Sequence, residues 1–312
     1  MTRRGLRLAV GDRIGAELTV LGAIDDAGPD PLYLVWNHRA FCPMTCKLYR
    51  SARRMAAEAN VLAALSHPNL VRFFGCGQPP HLLMEFLEGP SLRQLLKRRP
   101  HKRLGISDSL RVAIHLCAAL VHIHERGFLH LDIKPSNIII ARGGRPVLFD
   151  FGIARPSGTW HEPRLEGSDP YMAPEQCRRE AVGPASDIFG LGATLYEMLS
   201  GELPFPPADH RHPFPQTVAD PVPLRARRAR IAAEFDRLVL RCLMRDPAAR
   251  PASPAELATL LHPLIQSGPP MWPPGFQPAP SQAQHDGHRP RCRLPARCPV
   301  PASVAAERPA WK

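Results

Sequence analysis

The chain has 312 residues, enough for one large domain or two small ones with an ordinary core, and its eight cysteines include no Cys-x-x-Cys pair. Neither a zinc ribbon nor a disulfide framework is therefore indicated, and reduced thiols in a cytoplasmic setting are expected. The formal charge of +12 and pI near 9.9 would suit an acidic partner, but the excess sits in runs at Lys97-Arg98-Arg99, Lys102-Arg103, Arg225, Arg227, Arg228 and Arg230 and in six basic residues after Gln266.

Such runs read as solvated faces and tails. No aromatic-rich RNA signature or zinc finger accompanies them, so nucleic acid is not an expected partner. No apolar run reaches membrane-spanning length, so no membrane span is expected.

Residues 1–17 form a basic lead-in. The alternating runs 18–24 and 32–36 read as two strands of a hairpin, with Asp25-Asp26-Ala27-Gly28-Pro29-Asp30 between them. A third strand is predicted over 44–49 and an alanine-rich helix over 51–65, which Ser66-His67-Pro68-Asn69 ends. Strands over 70–74 and 81–87 bracket a Gly and Pro turn. Beyond Gly89 the pattern turns helical, most clearly over 107–126, with Ser107 as the expected N-cap. His115, His122 and His124 lie on that helix. A spacing of two does not place the last pair on one face, so all three read as packing or surface residues. Over 204–223 proline and histidine replace any helical period. From Gln266 onward, eleven prolines in 47 residues predict a disordered tail, whose Pro-x-x-Pro-like spacings would suit a peptide-binding partner.

Chemistry concentrates at His130-Leu131-Asp132-Ile133-Lys134-Pro135-Ser136-Asn137, which packs five polar side chains between apolar runs. Ile138-Ile139-Ile140, a turn at Gly143-Gly144 and a second apolar run ending in Asp150-Phe151-Gly152 follow. Two short strands would thus bring Asp132, Asn137 and Asp150 towards one place. These groups suit phosphoryl transfer. Asn137 and Asp150 offer hard oxygens to a divalent metal, Asp132 can accept the proton of an attacking hydroxyl, and Lys134 can neutralise charge on the moving phosphoryl group. A single Asp or Asn in a loop more often caps a turn; the joint spacing argues against that here.

The ordered set of Lys47, Glu58, the 130–137 loop, Asp150-Phe151-Gly152, Ala173-Pro174-Glu175 and Arg250 resembles the eukaryotic-type Ser/Thr protein kinases also found in bacteria, over 18–265. The resemblance implies an α+β, two-lobed fold with a small β-sheet N-lobe (18–87) and a larger helical C-lobe (88–265). It implies ATP with Mg²⁺ or Mn²⁺ in the cleft and transfer of the γ-phosphoryl group to Ser or Thr hydroxyls of a protein substrate. Lys47 would grip the α- and β-phosphates and pair with Glu58. Ile24, Leu32 and Ile139 would sandwich adenine, backbone groups of Glu85 and Leu87 would hydrogen-bond it, and Met84 would guard the back of its pocket. Ser168 would bridge to Asp132 and Lys134. Asp187, opening an apolar helix over 188–199, would anchor the 130–137 backbone, and Arg250 would pair with Glu175.

Two departures from the family pattern carry expectations. The three glycines of the family's phosphate-covering turn fall on Asp25, Ala27 and Asp30, so the acidic loop of Asp25, Asp26 and Asp30 is expected to weaken ATP binding. Leu131 stands where many kinases have an Arg that clamps an activation-segment phosphate. With Ser157 and Thr159 the only hydroxyls over 153–166, activity is expected not to depend strongly on phosphorylation there. A pseudokinase scaffold is the first alternative, favoured by the missing glycines. The second is a small-molecule phosphotransferase of the aminoglycoside type, which Ala173-Pro174-Glu175 and Arg250 oppose.

Overall fold

The computed structural model describes residues 7–158, 167 and 169–265. Its N-terminal part is an antiparallel sheet of β1 (Arg13–Ile14), β2 (Leu18–Asp25), β3 (Leu32–Asn37), β4 (Cys42–Leu48), β5 (Phe73–Gly77) and β6 (His81–Glu85), ordered β1-β2-β3-β4-β6-β5. Alternation decides which face is covered: Leu18, Val20, Tyr33, Val35, Met44, Cys46 and Leu48 are buried together. The register sets Leu32 opposite both Asp25 and Lys47, which ties the hairpin tip to the lysine of β4.

Between β4 and β5 lies α1 (Ala52–Ala63), capped by Ser51, whose side chain accepts from Arg54 N at 3.4 Å. Its buried face carries Met55, Glu58, Ala59 and Leu62 at helical spacing. Glu58 is thus a carboxylate on an apolar stripe, and such a group must find a partner. The strand expected over 70–74 forms later, as β5. Leu70 bridges to Leu148 and Val71 N donates to Leu148 O at 3.1 Å, so the chain first joins the 145–148 segment before it pairs with β6.

The helical part begins with α2 (Leu92–Lys97), opened by a reciprocal cap between Ser91 and Gln94. After it comes α3 (Ile106–Glu125). Ser107 is not its N-cap: extended Gly105 holds that position, and its carbonyl accepts from both the backbone and the hydroxyl of Ser109. Contrary to the reading of the sequence, α3 is long and apolar enough to cross a membrane by length and composition. Its apolar residues are nevertheless core residues, with Leu110, Leu116, Leu120 and Ile123 wholly buried. Burial of each such side chain contributes about 1.5–3 kcal/mol, which marks α3 as a core helix.

Short strands β7 (Phe128–Leu129), β8 (Ile138–Ala141), β9 (Arg145–Leu148) and β10 (Arg155–Pro156) follow, pairing as β8 with β9 and β7 with β10. The remaining helices are α4 (Pro174–Cys177), α5 (Pro184–Ser200), α6 (Leu224–Arg227), α7 (Ala233–Cys242) and α8 (Pro254–Leu261). The helix expected from 188 starts a turn earlier because Pro184 suits the first helical position after extended Gly183. Asp187 therefore lies inside the first turn of α5. The core joins α3 and α5 to α7 and α8 and continues beneath α1.

Candidate active site

Lys47 on β4 meets both of its acidic neighbours. Its Nζ donates to Glu58 Oε2 at 2.9 Å, to Glu58 Oε1 at 3.1 Å and to Asp150 Oδ1 at 2.7 Å. Burial opposes the ammonium charge, but Asp150 and Glu58 outweigh it and raise the lysine pKa above its ordinary value. Tyr49, one residue beyond β4, adds its hydroxyl to Glu58 Oε2 at 2.5 Å. Gly152 makes room for this cluster: a Cβ there would stand 3.3 Å from both Asp150 Oδ1 and Lys47 Nζ.

The 130–137 loop is held from beneath by α5. The buried Asp187 carboxylate accepts from His130 N at 3.0 Å and Leu131 N at 2.7 Å. Gln176 Nε2 adds a bond to Leu131 O at 3.0 Å. These bonds hold Leu131 at φ 65, a left-handed conformation that costs a non-glycine residue about 1–2 kcal/mol. The Leu131 side chain is buried with Leu129 and Val182, against Ile153.

Within the loop, Asp132 Oδ2 accepts from Lys134 Nζ at 2.6 Å and from Asn137 Nδ2 at 2.8 Å. Its other oxygen, Oδ1, is buried without a hydrogen-bond partner among the described residues. Asn137 Nδ2 also bonds Asp132 O at 3.0 Å, so the amide nitrogen is committed to Asp132 and the side-chain oxygen is left for another group. Asp150 likewise has one oxygen on Lys47. Burial would raise its pKa, but Lys47, His130 and Lys134 bring it below the ordinary aspartate value.

A cavity of 570 Å³ opens beside these groups, within the usual range for a ligand site. Ile24, Leu32, Met84 and Ile139 supply apolar walls, the 85–89 segment forms one edge, and Lys134, Asn137 and Asp150 lie at its polar end. Asp25 lines it too, but the other hairpin carboxylates do not, which corrects the expectation that all three oppose a triphosphate. Asp30 pairs with Arg54 of α1 at 2.9 Å, and Asp26 stands 3.8 Å from Arg7. A larger recess of 870 Å³ is lined by Leu62, Phe73, Gly75 and the bases His67, Arg72 and Arg145, and its carboxylate, Glu85, pairs with Arg145 at 3.3 Å.

Glu175 and Arg250 form a bidentate pair at 2.7 and 2.8 Å. The other guanidinium N–H groups reach Met244 O, Ala185 O and Arg245 O, so each donor of a fully buried cation is used. Ser186 Oγ adds a bond to Glu175 Oε1 at 2.7 Å. Ser168, read from the sequence as the bridge to Asp132 and Lys134, lies outside the described residues, as do Thr159 and the tail.

The sequence reading missed two participants. His124 Nε2 stands 2.8 Å from Asp187 Oδ2, so it is a polar partner of the buried anchor and not a packing or surface residue. The signal was its place in the last turn of α3, three residues ahead of the Gly127 turn into the loop. Tyr49 carried no signal beyond a hydroxyl next to a buried strand.

A sequence model of the protein kinase domain matches residues 44–263, well over half of the chain. The chain is 32% identical over 217 residues to "Serine/threonine-protein kinase PknB" of Mycolicibacterium smegmatis, covering 65% of this chain and 34% of that protein. It is 32% identical over 235 residues to the protein of the same name from Mycobacterium leprae, covering 70% and 36%. To "Serine/threonine-protein kinase pkn2" of Myxococcus xanthus it is 35% identical over 229 residues, covering 67% and 27%. The chain thus spans about a third of the length of the curated relatives it matches first. With the curled sheet, the helices and the matched residues together, the chain belongs to the protein kinase family.

Proposed function

We propose that this chain is an ATP-dependent Ser/Thr protein kinase whose domain, expected from the sequence over 18–265, has a small sheet lobe over 18–87, which β1 extends back to Arg13, and a larger helical lobe over 88–265. One observation carries the reading: Lys47 bonds Glu58 and Asp150 in the same structure in which Asp132, Lys134 and Asn137 bond one another beside the 570 Å³ cavity. A scaffold without catalysis would have no need for all of these contacts at once.

Adenine would lie between Ile24, Leu32 and Ile139, with Met84 behind it. Glu85 N is already bonded to Arg72 O at 2.9 Å, so the Glu85 carbonyl and the Leu87 backbone are the groups left to hydrogen-bond the base. Lys47 would hold the α- and β-phosphates. The free oxygens of Asn137 and Asp150 are hard donors that fit Mg²⁺ or Mn²⁺, which needs only one or two protein ligands beside phosphate and water. Bound there, the metal would neutralise phosphate charge.

The substrate hydroxyl would attack the γ-phosphorus in line as the bond to the β-phosphate oxygen breaks and ADP leaves. The Asp132 carboxylate, through its unpartnered Oδ1, would accept the hydroxyl proton. Lys134 would offset charge on the moving phosphoryl group. Six free thiols among the described cysteines support a reducing, cytoplasmic setting.

The test is an assay with labelled ATP, Mg²⁺ or Mn²⁺ and a generic protein substrate, run beside Asp132→Asn and Lys47→Met. Phosphoserine or phosphothreonine from the wild type alone is expected. Equal label in all three samples would overturn the assignment, and an inactive wild type that still binds nucleotide would establish the scaffold alternative.

A further inference from the structure

Two basic runs far apart in sequence meet on one surface. Arg228, just beyond α6, sends its guanidinium to Leu104 O at 2.9 Å and Leu199 O at 3.1 Å, which seats the 225–230 run against the 98–105 loop. Arg99, His101, Arg103 and Arg228 then line one recess of 270 Å³, in which Asp108 is the carboxylate. Partial burial and the nearby charges of Arg103 and Arg230 lower the Arg228 pKa from its usual value, as crowded cations must.

This loop is anchored at its end. Leu104 N donates to Met198 O at 2.7 Å. Gly201, at φ 81, lets the His101 carbonyl approach so closely that a Cβ would stand 2.1 Å from it. The charges are therefore presented on a fixed backbone, unlike those of a solvated tail. Arg98, Lys102 and Arg230 are exposed and have no carboxylate partner among the described residues; Arg227, by contrast, pairs with Glu202 at 3.1 Å.

Helix α2 joins this surface to the cavity. Ser91 and Gln94 at its start line the cavity, and Lys97 ends it, about 9 Å further along at 1.5 Å per residue. Arg93, one turn ahead of Lys97, reaches the Tyr171 hydroxyl at 3.4 Å, two residues before Ala173-Pro174-Glu175. The cationic strip thus runs from the fixed loop to the rim where a protein substrate would lie.

We propose that this strip docks an acidic segment of the protein substrate, so that phosphorylated Ser or Thr residues lie near clustered Asp and Glu. The inference rests on the kinase reading above. Charge complementarity selects an anion. Adjacency to the cavity favours a substrate over duplex DNA or an anionic membrane, neither of which is helped by standing one short helix from the transferred group.

The test compares a peptide carrying one serine among glutamates with its glutamine counterpart, on wild type and on Arg98→Glu/Lys102→Glu/Arg230→Glu, at low and high salt. Expected is a KM for the acidic peptide about tenfold below that of the glutamine peptide, erased by the triple variant and by salt. KM for ATP and kcat on the glutamine peptide stay unchanged, which shows the variant is folded. Equal KM values in wild type, or an acidic-peptide KM that the variant leaves intact, overturn the proposal. So does a variant that loses only binding to duplex DNA or phosphatidylserine vesicles. Anisotropy of the labelled acidic peptide on Asp132→Asn measures the surface without catalysis. Preferential binding there with no phosphorylation by wild type would leave the surface standing and the kinase reading fallen; no preference overturns the surface itself.

Discussion

Tyr49 donates its hydroxyl to Glu58 Oε2 at 2.5 Å, from one residue beyond the strand that carries Lys47. Burial and the Glu58 charge both raise the phenol pKa, so the group remains a donor. Tyr49→Phe removes one of the bonds that orient the carboxylate while leaving Lys47 on it. A hydrogen bond to a charged group is worth about 1.5–3 kcal/mol, so urea unfolding should show a loss of that order. Kinase activity should fall about tenfold, equivalent to 1.4 kcal/mol in the barrier. Unchanged stability and rate would mean that Lys47 alone fixes Glu58.

Every guanidinium donor of Arg250 is used. Arg250→Met leaves the Glu175 carboxylate buried with only Ser186 as a donor, and should cost about 3–5 kcal/mol in chemical denaturation. Arg250→Lys should recover little, because an ammonium cannot replace a planar fork. Adding Glu175→Gln to Arg250→Met should restore part of the loss; no restoration would show that the carboxylate charge is not the source of the cost.

The hairpin carboxylates separate by position. Asp25 lines the cavity, so Asp25→Gly should tighten ATP binding severalfold, about 1 kcal/mol by titration calorimetry. Asp30→Gly should not tighten it, because that carboxylate is already spent on Arg54. Equal gains from both would show that the charge of the whole loop matters, not its placement.

Acid sensitivity follows from two depressed carboxyls. Burial would raise the pKa of Asp150 and Asp187, yet Lys47 in one case and His124 in the other outweigh it and bring both below 3.8. A lowered folded pKa gives stability that is full above 3.8 and lost as pH falls through the folded value. Lys47, raised above 10.5, keeps its contribution below that pH and loses it only in stronger alkali. Urea midpoints should therefore fall below about pH 4, and Asp150→Asn should flatten part of that acid limb. An identical limb in the variant would remove Asp150 from the account.

Leu131 packs with Leu129, Val182 and Ile153, an apolar contact where an arginine would offer donors. Phosphatase-treated wild type and Ser157→Ala/Thr159→Ala should keep activity within about tenfold of untreated protein, or 1.4 kcal/mol. A larger loss in both would show that a phosphate orders the segment by another route.

Local pattern carried much of the domain but not its pairings. The hairpin, the alanine-rich helix and the 130–140 run are visible because strand alternation and helical spacing are written into neighbouring residues. The start of β5 was not, since Leu70 and Val71 answer to Leu148 and not to their own neighbours. His124 escaped for the same reason: its partner is 63 residues away, and helical spacing says nothing about a carboxylate arriving from α5. Asp30 was misjudged because a charge in a turn reveals its sign and not its direction. Lys47, Glu58, Asp132, Asn137 and Asp150 were legible as a set only through their order along the chain.

The Asp30 to Arg54 pair closes a ring. From the hairpin tip the path runs through Arg54 into α1, from Glu58 to Lys47, and back through β4 to Leu32 beside the tip. Raising the tip must then strain either the half-exposed Arg54 pair or the buried Lys47 pair. The Arg54 pair yields first, because the Arg54 side chain is 52% accessible, although that of Asp30 is only 7%, whereas Lys47 and Glu58 are 8% and 1% accessible. Salt should therefore loosen the tie between the hairpin tip and α1 before it reaches the Lys47 pair, with no change to Asp132, Asn137 or Asp150.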